Sequence, residues 1–239
     1  MQPFFNRHGN KKYIADKIIK MFPKDYDIYV EPFCGSAAVY FQKQPSRVEV
    51  LNDKDSELIK GYRLIKQVST NLNEYKQLKS LAHFRRFYDE SHNSKEEQLE
   101  QLILKFNNTF LSRGKGKLYK TTNPFSKLEV LSEYKERLKH TTILNWNYQT
   151  VIRKYDSPRT LFYLDPPYEN SSSGNYAYYD MDYHELAEIL SQIKGYFILS
   201  INDSPNIRTI FKAYRMIQIT LQSYHNIIPN RRELLILNY

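Results

Sequence analysis

The chain has 239 residues, a formal net charge of +9 and 41 % apolar residues, enough for one sizeable core or for one domain with an insertion. A single cysteine excludes an internal disulfide and a cysteine-based zinc site, and the histidines lack metal-ligand spacing, so no metal is expected. The chain has no run of about 20 apolar residues that could form a transmembrane helix, and residues 1–10 lack the apolar segment of a secretory signal peptide. We therefore expect a cytoplasmic protein that is not a membrane protein.

Helices and strands alternate in the first part of the chain. Hydrophobic periodicity predicts helices over 11–22, about 37–43 and from about 56, and strands over 27–30 and 48–51. This order is typical of a parallel sheet that is covered by helices.

Residues 69–140 differ in character, because they are mostly polar, charged and helical. Alternation then resumes, with strands predicted over 142–144, 161–164, 196–201, 214–221 and 233–238 and a helix over 185–193. We predict an α/β domain that is made of residues 1–68 and 141–239 and is interrupted by an inserted domain, residues 69–140.

The most informative motif is Asp165-Pro166-Pro167-Tyr168, which follows the apolar strand predicted over 161–164. A carboxylate and a stiff backbone carbonyl can each accept one N–H bond from an exocyclic amine, and an aromatic face can stack on its ring. The alternative is a strand that ends in an ordinary proline turn.

Two further motifs also follow predicted strands, where ligands bind in open α/β sheets. Phe33 and Gly35 in the first, Glu31 to Ser36, offer a ring and a close backbone approach. Asp53 follows the next predicted strand, about twenty residues after the glycine. An acidic residue at this spacing is suited to hydrogen bonds with ribose hydroxyls. With one glycine the turn suits a nucleoside without phosphates, such as S-adenosylmethionine, better than a pyrophosphate. A plain turn and a helix-terminal acid are the alternatives.

A basic stretch in the inserted domain, residues 111–120, has no acidic residue. Its side chains suit phosphates and guanine edges of duplex DNA, and a solvated basic loop is the alternative. The candidate DNA-binding residues are Arg113, Lys115, Lys117, Tyr119 and Lys120.

Four motifs, in their order along the chain, resemble those of the Dam-type (D12 class) DNA adenine-N6 methyltransferases. They are Asn6 to Lys11, Glu31 to Gly35, Leu51 to Asp53 and Asp165 to Tyr168. The resemblance implies a Rossmann-like, S-adenosyl-L-methionine-dependent methyltransferase fold, with a seven-stranded, mainly parallel sheet and a helical target-recognition insertion.

The resemblance also implies roles for individual residues. The cofactor would be bound by Arg7, Lys11, Glu31, Phe33, Gly35, Asp53 and Asp165. Asp165 and the Pro166 carbonyl would accept the two N6 hydrogens of the target adenine, and Tyr168 would stack on that base. Ala37 stands where relatives often have glycine, and a small residue is expected to be tolerated there.

The implied activity is methyl transfer from S-adenosylmethionine to N6 of adenine in double-stranded DNA, with base flipping, at a GATC-like site. A companion restriction endonuclease, a monomer or weak dimer, and a location in the cytoplasm, at the nucleoid or in a host cytoplasm are the accompanying expectations. Two alternatives stay open. One is methylation of RNA adenine or of cytosine N4 in DNA, and the other is an inactive DNA-binding relative.

Overall fold

The structure is a computed structural model, and it describes residues 1–7, 9–71, 75, 81–108, 125–168, 181–221 and 231–239. The predicted DNA-binding residues Arg113, Lys115, Lys117, Tyr119 and Lys120 lie outside these ranges. Contacts divide the chain into two compact units. The first unit is Met1–Lys20, Gly35–Gln44 and Asp55–Asn145, and the second unit is Met21–Cys34, Pro45–Lys54 and Trp146–Tyr239.

The described ranges contain seven strands. They are β1 (Ile28–Glu31), β2 (Val48–Asn52), β3 (Thr142–Leu144), β4 (Thr160–Leu164), β5 (Tyr196–Asn202), β6 (Arg215–Leu221) and β7 (Arg231–Leu237). Six of the seven strands of the sheet lie in the second unit, in the order β2-β1-β4-β5-β7-β6. The short strand β3 belongs to the first unit.

The sheet of the second unit is parallel on one side and antiparallel on the other. β1 pairs in parallel with β2 and β4, and β4 pairs in parallel with β5, whereas β7 runs antiparallel between β5 and β6. All five residues of β4 are buried, as expected for a strand covered on both faces. The predicted fold, an α/β protein with a seven-stranded, mainly parallel sheet, is confirmed.

The helices in the described ranges agree with the sequence pattern in most places. They are α1 (Ala15–Ile19), α2 (Ala38–Gln42), α3 (Ser56–Gln67), α4 (Leu81–Asp89), α5 (Lys95–Asn107), α6 (Leu131–Leu138), α7 (Tyr148–Tyr155), α8 (Tyr183–Gln192) and α9 (Pro205–Ile210), and a 3₁₀ turn spans Ser126–Val130. None of these helices is long and apolar enough to cross a membrane.

Two differences from the sequence-based prediction have local causes. Helix α1 is shorter than the predicted 11–22, because residues 12–14 form turns instead of a first helical turn. The short helices α7 and α9 were missed. Helix α9 begins with Pro205 in its first turn, and the Ser204 hydroxyl caps it by accepting from the Ile207 N–H.

The core of the first unit forms around helix α3. Asp55 caps this helix by accepting from the N–H groups of Glu57 and Leu58, each at 3.1 Å. Its buried face packs on α5, α6 and β3. Gly61 allows the close approach of an aromatic ring, since a Cβ there would lie 2.6 Å from the side chain of Phe5.

Candidate active site

A pocket of about 200 Å³ opens in the second unit beyond the ends of β1 and β2. Its walls come from the β1 turn, the end of β2, the start of α7 and the start of α8. The residues that line it are Pro32, Phe33, Asn52, Lys54, Trp146, Asn147, Tyr148, Gln149, Met181, Asp182 and Glu185. Two rings, Phe33 and Tyr148, face each other with centroids 5.0 Å apart and planes inclined by 35°.

Asn52 joins the elements around this pocket. It is 1 % exposed, and its Nδ2 donates to the Pro32 carbonyl at 2.8 Å and to the Trp146 carbonyl at 3.1 Å. Its Oδ1 accepts from the Trp146 N–H at 2.8 Å, and its own carbonyl accepts from the Cys34 N–H at 2.8 Å. One buried side chain thus fixes the β1 turn against the segment that precedes α7, which is what a pre-formed pocket requires.

Polar groups surround the aromatic centre of the pocket. Lys54 Nζ donates to Asn147 Oδ1 at 2.9 Å, and the Tyr148 hydroxyl donates to Glu185 Oε2 at 3.0 Å. Burial, followed by the hydrogen bond to Glu185, raises the pKa of Tyr148 above its usual value of 10.0, so this ring stays neutral at physiological pH.

The size and lining of the pocket suit one flat ring system. Its volume of about 200 Å³ is below the roughly 300–1000 Å³ of sites that enclose a whole ligand. Aromatic faces with amides, a lysine and carboxylates at the edge match a nucleobase or nucleoside. The pocket therefore fits the adenosine part of S-adenosyl-L-methionine.

The predicted cofactor residues of the second unit differ in their position. Phe33 lines the pocket, as the stacking role requires. Asp53 is half-buried and does not itself line the pocket, but its chain neighbours Asn52 and Lys54 do. Glu31 is 1 % exposed and accepts a hydrogen bond from the Tyr29 hydroxyl at 2.7 Å, and it does not line the pocket either. Binding roles for Glu31 and Asp53 stay predictions.

The other predicted cofactor residues, Arg7, Lys11 and Gly35, belong to the first unit. Arg7 forms an ion pair with Asp55 at 2.9 Å, and Lys11 Nζ donates to the Gly9 carbonyl at 3.0 Å. Gly35 has a φ of +46°, and a Cβ added there would meet no atom within 4 Å. Its left-handed backbone and open surroundings suit a close ligand approach, while the roles of all three residues stay predictions.

The Asp165-Pro166-Pro167-Tyr168 motif follows β4 directly. Both prolines are buried, Asp165 and Tyr168 are half-buried, and the Pro167 carbonyl accepts a hydrogen bond from the Tyr183 hydroxyl of α8. Since β1 lies between β2 and β4 and all three are parallel, their carboxyl ends meet at one edge of the sheet. Adjacent strands are about 5 Å apart, so the motif begins one strand away from the turn that carries Phe33.

Buried phenols and carboxylates surround this motif on one face of the sheet. Tyr163 and Tyr168 have buried hydroxyls, and burial raises the pKa of each well above 10.0. The charge of Asp165 is the next cause for both, and Glu233 on β7 contributes to both as well. The negative groups at this edge therefore favour positive charge near Asp165.

Sequence reasoning did not name most residues of the pocket, and Asn52, Trp146 and Tyr148 are among those it missed. Trp146 is 40 % exposed and lines the pocket. The signal was present, because Trp146 to Tyr148 follow the predicted strand 142–144, and ligands bind where parallel strands end.

Comparison with known proteins gives the site its chemical class. The chain matches the profile of the D12 class N6 adenine-specific DNA methyltransferases over residues 8–224. It is 25 % identical over 251 residues to the type II methyltransferase M1.LlaDCHI of Lactococcus lactis subsp. cremoris, covering 92 % of this chain and 87 % of the relative. It is 24 % identical over 229 residues to the type II methyltransferase M.CviBI of Paramecium bursaria Chlorella virus NC1A, covering 90 % and 88 %.

Two solved structures are more distant. An rRNA methylase from Streptococcus thermophilus superposes with a TM-score of 0.41 and 9 % identity, over 95 % of this chain and 96 % of that one. SMU.472, a putative methyltransferase complexed with SAH, gives a TM-score of 0.42 and 13 % identity, over 99 % of this chain and 54 % of that one.

The parallel sheet, the family motifs at its carboxyl edge and the profile match together define an S-adenosyl-L-methionine-dependent methyltransferase. More specifically, the chain belongs to the D12 class of N6 adenine-specific DNA methyltransferases, as its motifs predicted. Its reaction is methylation of adenine N6, its substrate is DNA, and its methyl donor is S-adenosyl-L-methionine.

Proposed function

We propose that this methyltransferase acts on an adenine that has been flipped out of duplex DNA, and that Asp165, Pro166 and Tyr168 hold the flipped base. The observation that carries the proposal is the shared sheet edge. Asp165 follows β4, and the aromatic pocket starts at the end of the adjacent parallel strand β1. A base at the motif and a nucleoside in the pocket would thus be neighbours, as methyl transfer between them requires.

The motif suits the chemistry of a weak nucleophile. The lone pair of adenine N6 is delocalised into the ring, and two acceptors that hold both hydrogens favour a tetrahedral nitrogen with a localised lone pair. In the proposed arrangement the Asp165 carboxylate accepts one hydrogen and the Pro166 carbonyl accepts the other. Buried prolines and the anchored Pro167 carbonyl keep these acceptors in place, so little reorganisation is needed at the moment of reaction.

The negative charge of Asp165 also suits methyl transfer to N6. When bound, S-adenosyl-L-methionine would supply a methyl group on positively charged sulfur, and the sulfur would leave with the C–S electron pair. Positive charge then develops on N6, and the Asp165 carboxylate stabilises it. The ammonium product is strongly acidic, so its proton leaves to solvent and Asp165 does not have to be a strong base.

Phe33 and Tyr148 are proposed to form one aromatic surface on which the adenine ring of the cofactor packs, and Asp53 to bind its ribose. The support is the 5.0 Å ring pair in the pocket and the position of Asp53 between two lining residues. Glu31, Arg7, Lys11 and Gly35 complete the proposed cofactor set, in agreement with the family motif.

Base flipping is proposed because a reactive edge inside a stacked duplex cannot reach a sheet-edge pocket. Residues 69–140 are proposed as the target-recognition part, with Arg113, Lys115, Lys117, Tyr119 and Lys120 as DNA contacts and a GATC-like site as the target. A companion restriction endonuclease is proposed because both similar proteins are named type II methyltransferases.

The first experiment incubates the protein with unmethylated duplex DNA and S-adenosyl-L-methionine, digests the product and measures methylated nucleosides by mass spectrometry. N6-methyladenine is expected, and Asp165→Asn should lower kcat by about 100-fold or more, because a transition-state interaction is lost. N4-methylcytosine, or methylation of RNA only, would favour the alternative substrates.

Asp203→Asn is the matched control. Asp203 also follows a strand of the second unit, β5, but its carboxylate is held by Arg208 at 2.6 Å. This variant should keep wild-type kcat. Equal losses in both variants would show that a carboxylate at the motif has no special role. Sequencing the methylated positions then gives the recognition site, and 2-aminopurine at the target position reports flipping by a rise in fluorescence.

A further inference from the structure

Helix α5 lies in the region that is proposed for target recognition, but its last residue holds the N-terminal segment of the chain. The side-chain amide of Asn107 makes two hydrogen bonds with that segment. Its Oδ1 accepts from the Asn6 N–H at 2.8 Å, and its Nδ2 donates to the Phe4 carbonyl at 3.2 Å. One side chain therefore fixes two points of a segment that is neither helix nor strand and cannot satisfy its own backbone groups.

The aromatic ring next to Asn107 holds the same segment. Phe106 is 1 % exposed, and its ring centroid lies 5.5 Å from that of Phe5. The guanidinium carbon of Arg7 lies 5.5 Å from the centroid of the Phe106 ring, and Arg7 also forms its ion pair with Asp55 at 2.9 Å. The last two residues of α5 thus contact all four residues of the segment 4–7.

This segment leads into the Lys11 turn, defined here as Gly9 to Lys11. The Arg7 carbonyl accepts from the Asn10 N–H at 3.2 Å and from Asn10 Nδ2 at 3.0 Å. Asn10 Oδ1 accepts from the Lys12 N–H at 3.3 Å, and Lys11, which is 3 % exposed, donates through Nζ to the Gly9 carbonyl at 3.0 Å. These bonds close the turn and tie it to Arg7, so its upstream anchor is the segment that α5 holds.

We propose that Asn107 is a positioning residue of the cofactor site, whose amide holds the segment 4–7 and thereby pre-organises the Lys11 turn for S-adenosyl-L-methionine. The inference rests on the proposed cofactor-binding role of Arg7 and Lys11. Asn107 acts only through that turn and does not touch the cofactor. The end of α5 thus serves the cofactor site, although the sequence assigns it to the inserted domain.

Pre-organisation is the reason why this amide affects affinity. A loop that is held in its bound conformation before the ligand arrives loses less conformational freedom on binding. Without the amide, the Lys11 turn keeps its internal hydrogen bonds, but the segment before it loses two fixed points. Part of the ordering then has to occur when the cofactor binds. A purely structural role would lower stability and leave the affinity of the folded protein unchanged.

The test compares Asn107→Ala with Gln101→Ala. Gln101 also lies on α5, and its Nε2 donates to the carbonyls of Tyr88 and Glu90 at 2.8 and 2.9 Å, away from the N-terminal segment. Each variant removes an α5 amide with two hydrogen bonds to backbone, so both should lose stability in urea. Asn107→Ala should raise the Kd for S-adenosyl-L-methionine, measured by calorimetry without DNA, by about 5-fold or more. Gln101→Ala should keep it within about 2-fold.

Steady-state kinetics on duplex DNA separate positioning of the cofactor from catalysis. Asn107→Ala should raise the KM for S-adenosyl-L-methionine in parallel with the Kd, and kcat at saturating cofactor should stay within about 2-fold of wild type. Asn107→Asp keeps the acceptor for the Asn6 N–H and removes the donor to the Phe4 carbonyl. Its Kd should lie between those of wild type and Asn107→Ala, and it replaces the alanine variant if that variant does not fold.

Three results would overturn the inference. They are a wild-type Kd in folded Asn107→Ala, equal rises of the Kd in Asn107→Ala and Gln101→Ala, and a fall in kcat of about 10-fold at saturating cofactor. Failure of the proposed function has a different signature. An unchanged Kd in Lys11→Met, which loses only the ammonium group, would remove the cofactor role of the turn, and the inference would fall with it. A raised Kd in Lys11→Met with a wild-type Kd in Asn107→Ala would overturn the inference alone.

Discussion

The side-chain amide of Asn52 makes two hydrogen bonds with the backbone of a single distant residue, Trp146. Its Oδ1 accepts from the Trp146 N–H at 2.8 Å and its Nδ2 donates to the Trp146 carbonyl at 3.1 Å. The same Nδ2 donates to the Pro32 carbonyl at 2.8 Å. The buried amide supplies hydrogen bonds that the backbone of this irregular segment would otherwise lack, and it fixes the geometry of the pocket.

Removing this amide should weaken both folding and cofactor binding. Asn52→Ala leaves the Trp146 N–H and the Pro32 carbonyl without the partner they have now, at about 1–3 kcal/mol for each buried group. We expect the free energy of unfolding in urea to fall by about 2–6 kcal/mol. The Kd for S-adenosyl-L-methionine by calorimetry should rise by about 10-fold or more. Asn206→Ala on the exposed start of α9 is the control, and equal effects of the two would contradict this account.

Trp146 should report cofactor binding directly. It is the only tryptophan of the chain and it lines the pocket, so a ligand that enters should change its fluorescence. Phe33→Leu removes one of the two facing rings, and the Kd from this signal should rise by up to about 10-fold, because a lost aromatic contact costs about 0.5–1.5 kcal/mol.

Tyr148→Phe is the control for that titration. It keeps the second ring and removes only the hydroxyl that donates to Glu185. The Kd should stay within about 3-fold of wild type, because the stacking face is retained. A fluorescence signal that does not respond to S-adenosyl-L-methionine would place the cofactor elsewhere.

Ala37 has a left-handed backbone, with a φ of +52°, and it precedes helix α2. This conformation costs a residue with a Cβ about 1–2 kcal/mol and costs glycine almost nothing. Ala37→Gly should therefore be more stable in urea than Ala38→Gly by about 1–2 kcal/mol. Both variants lose a buried methyl group, and Ala38 has a helical backbone. The difference between their free energies of unfolding therefore reports the effect of backbone conformation. Equal stability would contradict the left-handed conformation.

Tyr134 should make stability depend on pH in the alkaline range. Burial, with a smaller contribution from Glu133, raises its pKa from 10.0 to about 12. The neutral phenol is favoured in the folded state, so its stabilising contribution is complete below pH 10 and is lost as the pH rises to about 12. Urea unfolding at pH 9 and pH 11.5 measures this loss.

Tyr134→Phe cannot ionise, so its free energy of unfolding should fall less over that interval than the wild-type value does. It also loses the hydrogen bond to the Gln2 carbonyl, which lowers stability by about 1 kcal/mol at any pH. Only the pH dependence is therefore diagnostic.

Local signals were sufficient for most of the fold. The apolar run Leu161 to Leu164 predicted a buried strand, and β4 spans Thr160–Leu164 with every residue buried. The alternation of strands and helices predicted a mainly parallel sheet, because parallel strands need crossover connections. The helix over 11–22 was predicted too long, since apolar spacing alone does not show where turns begin.

The sequence by itself determined which chemical groups are present and at which edge they lie. Glu31, Phe33, Asp53 and Asp165 all follow or end strands, and in a parallel sheet those ends meet. The family motifs then gave the reaction and the methyl donor, and the profile match confirmed both. Local order along the chain carries this information, so no contact between distant residues was needed.

Only the tertiary structure decided how distant residues meet. Asn52 and Trp146 are 94 positions apart, and nothing in either local pattern indicates that one holds the other. Glu233 lies at the edge that carries Asp165 only because β7 runs antiparallel beside β5, so that its first residues lie where the parallel strands end. Strand direction and register are properties of the assembled sheet, so the sequence names these residues and the fold gives them their neighbours.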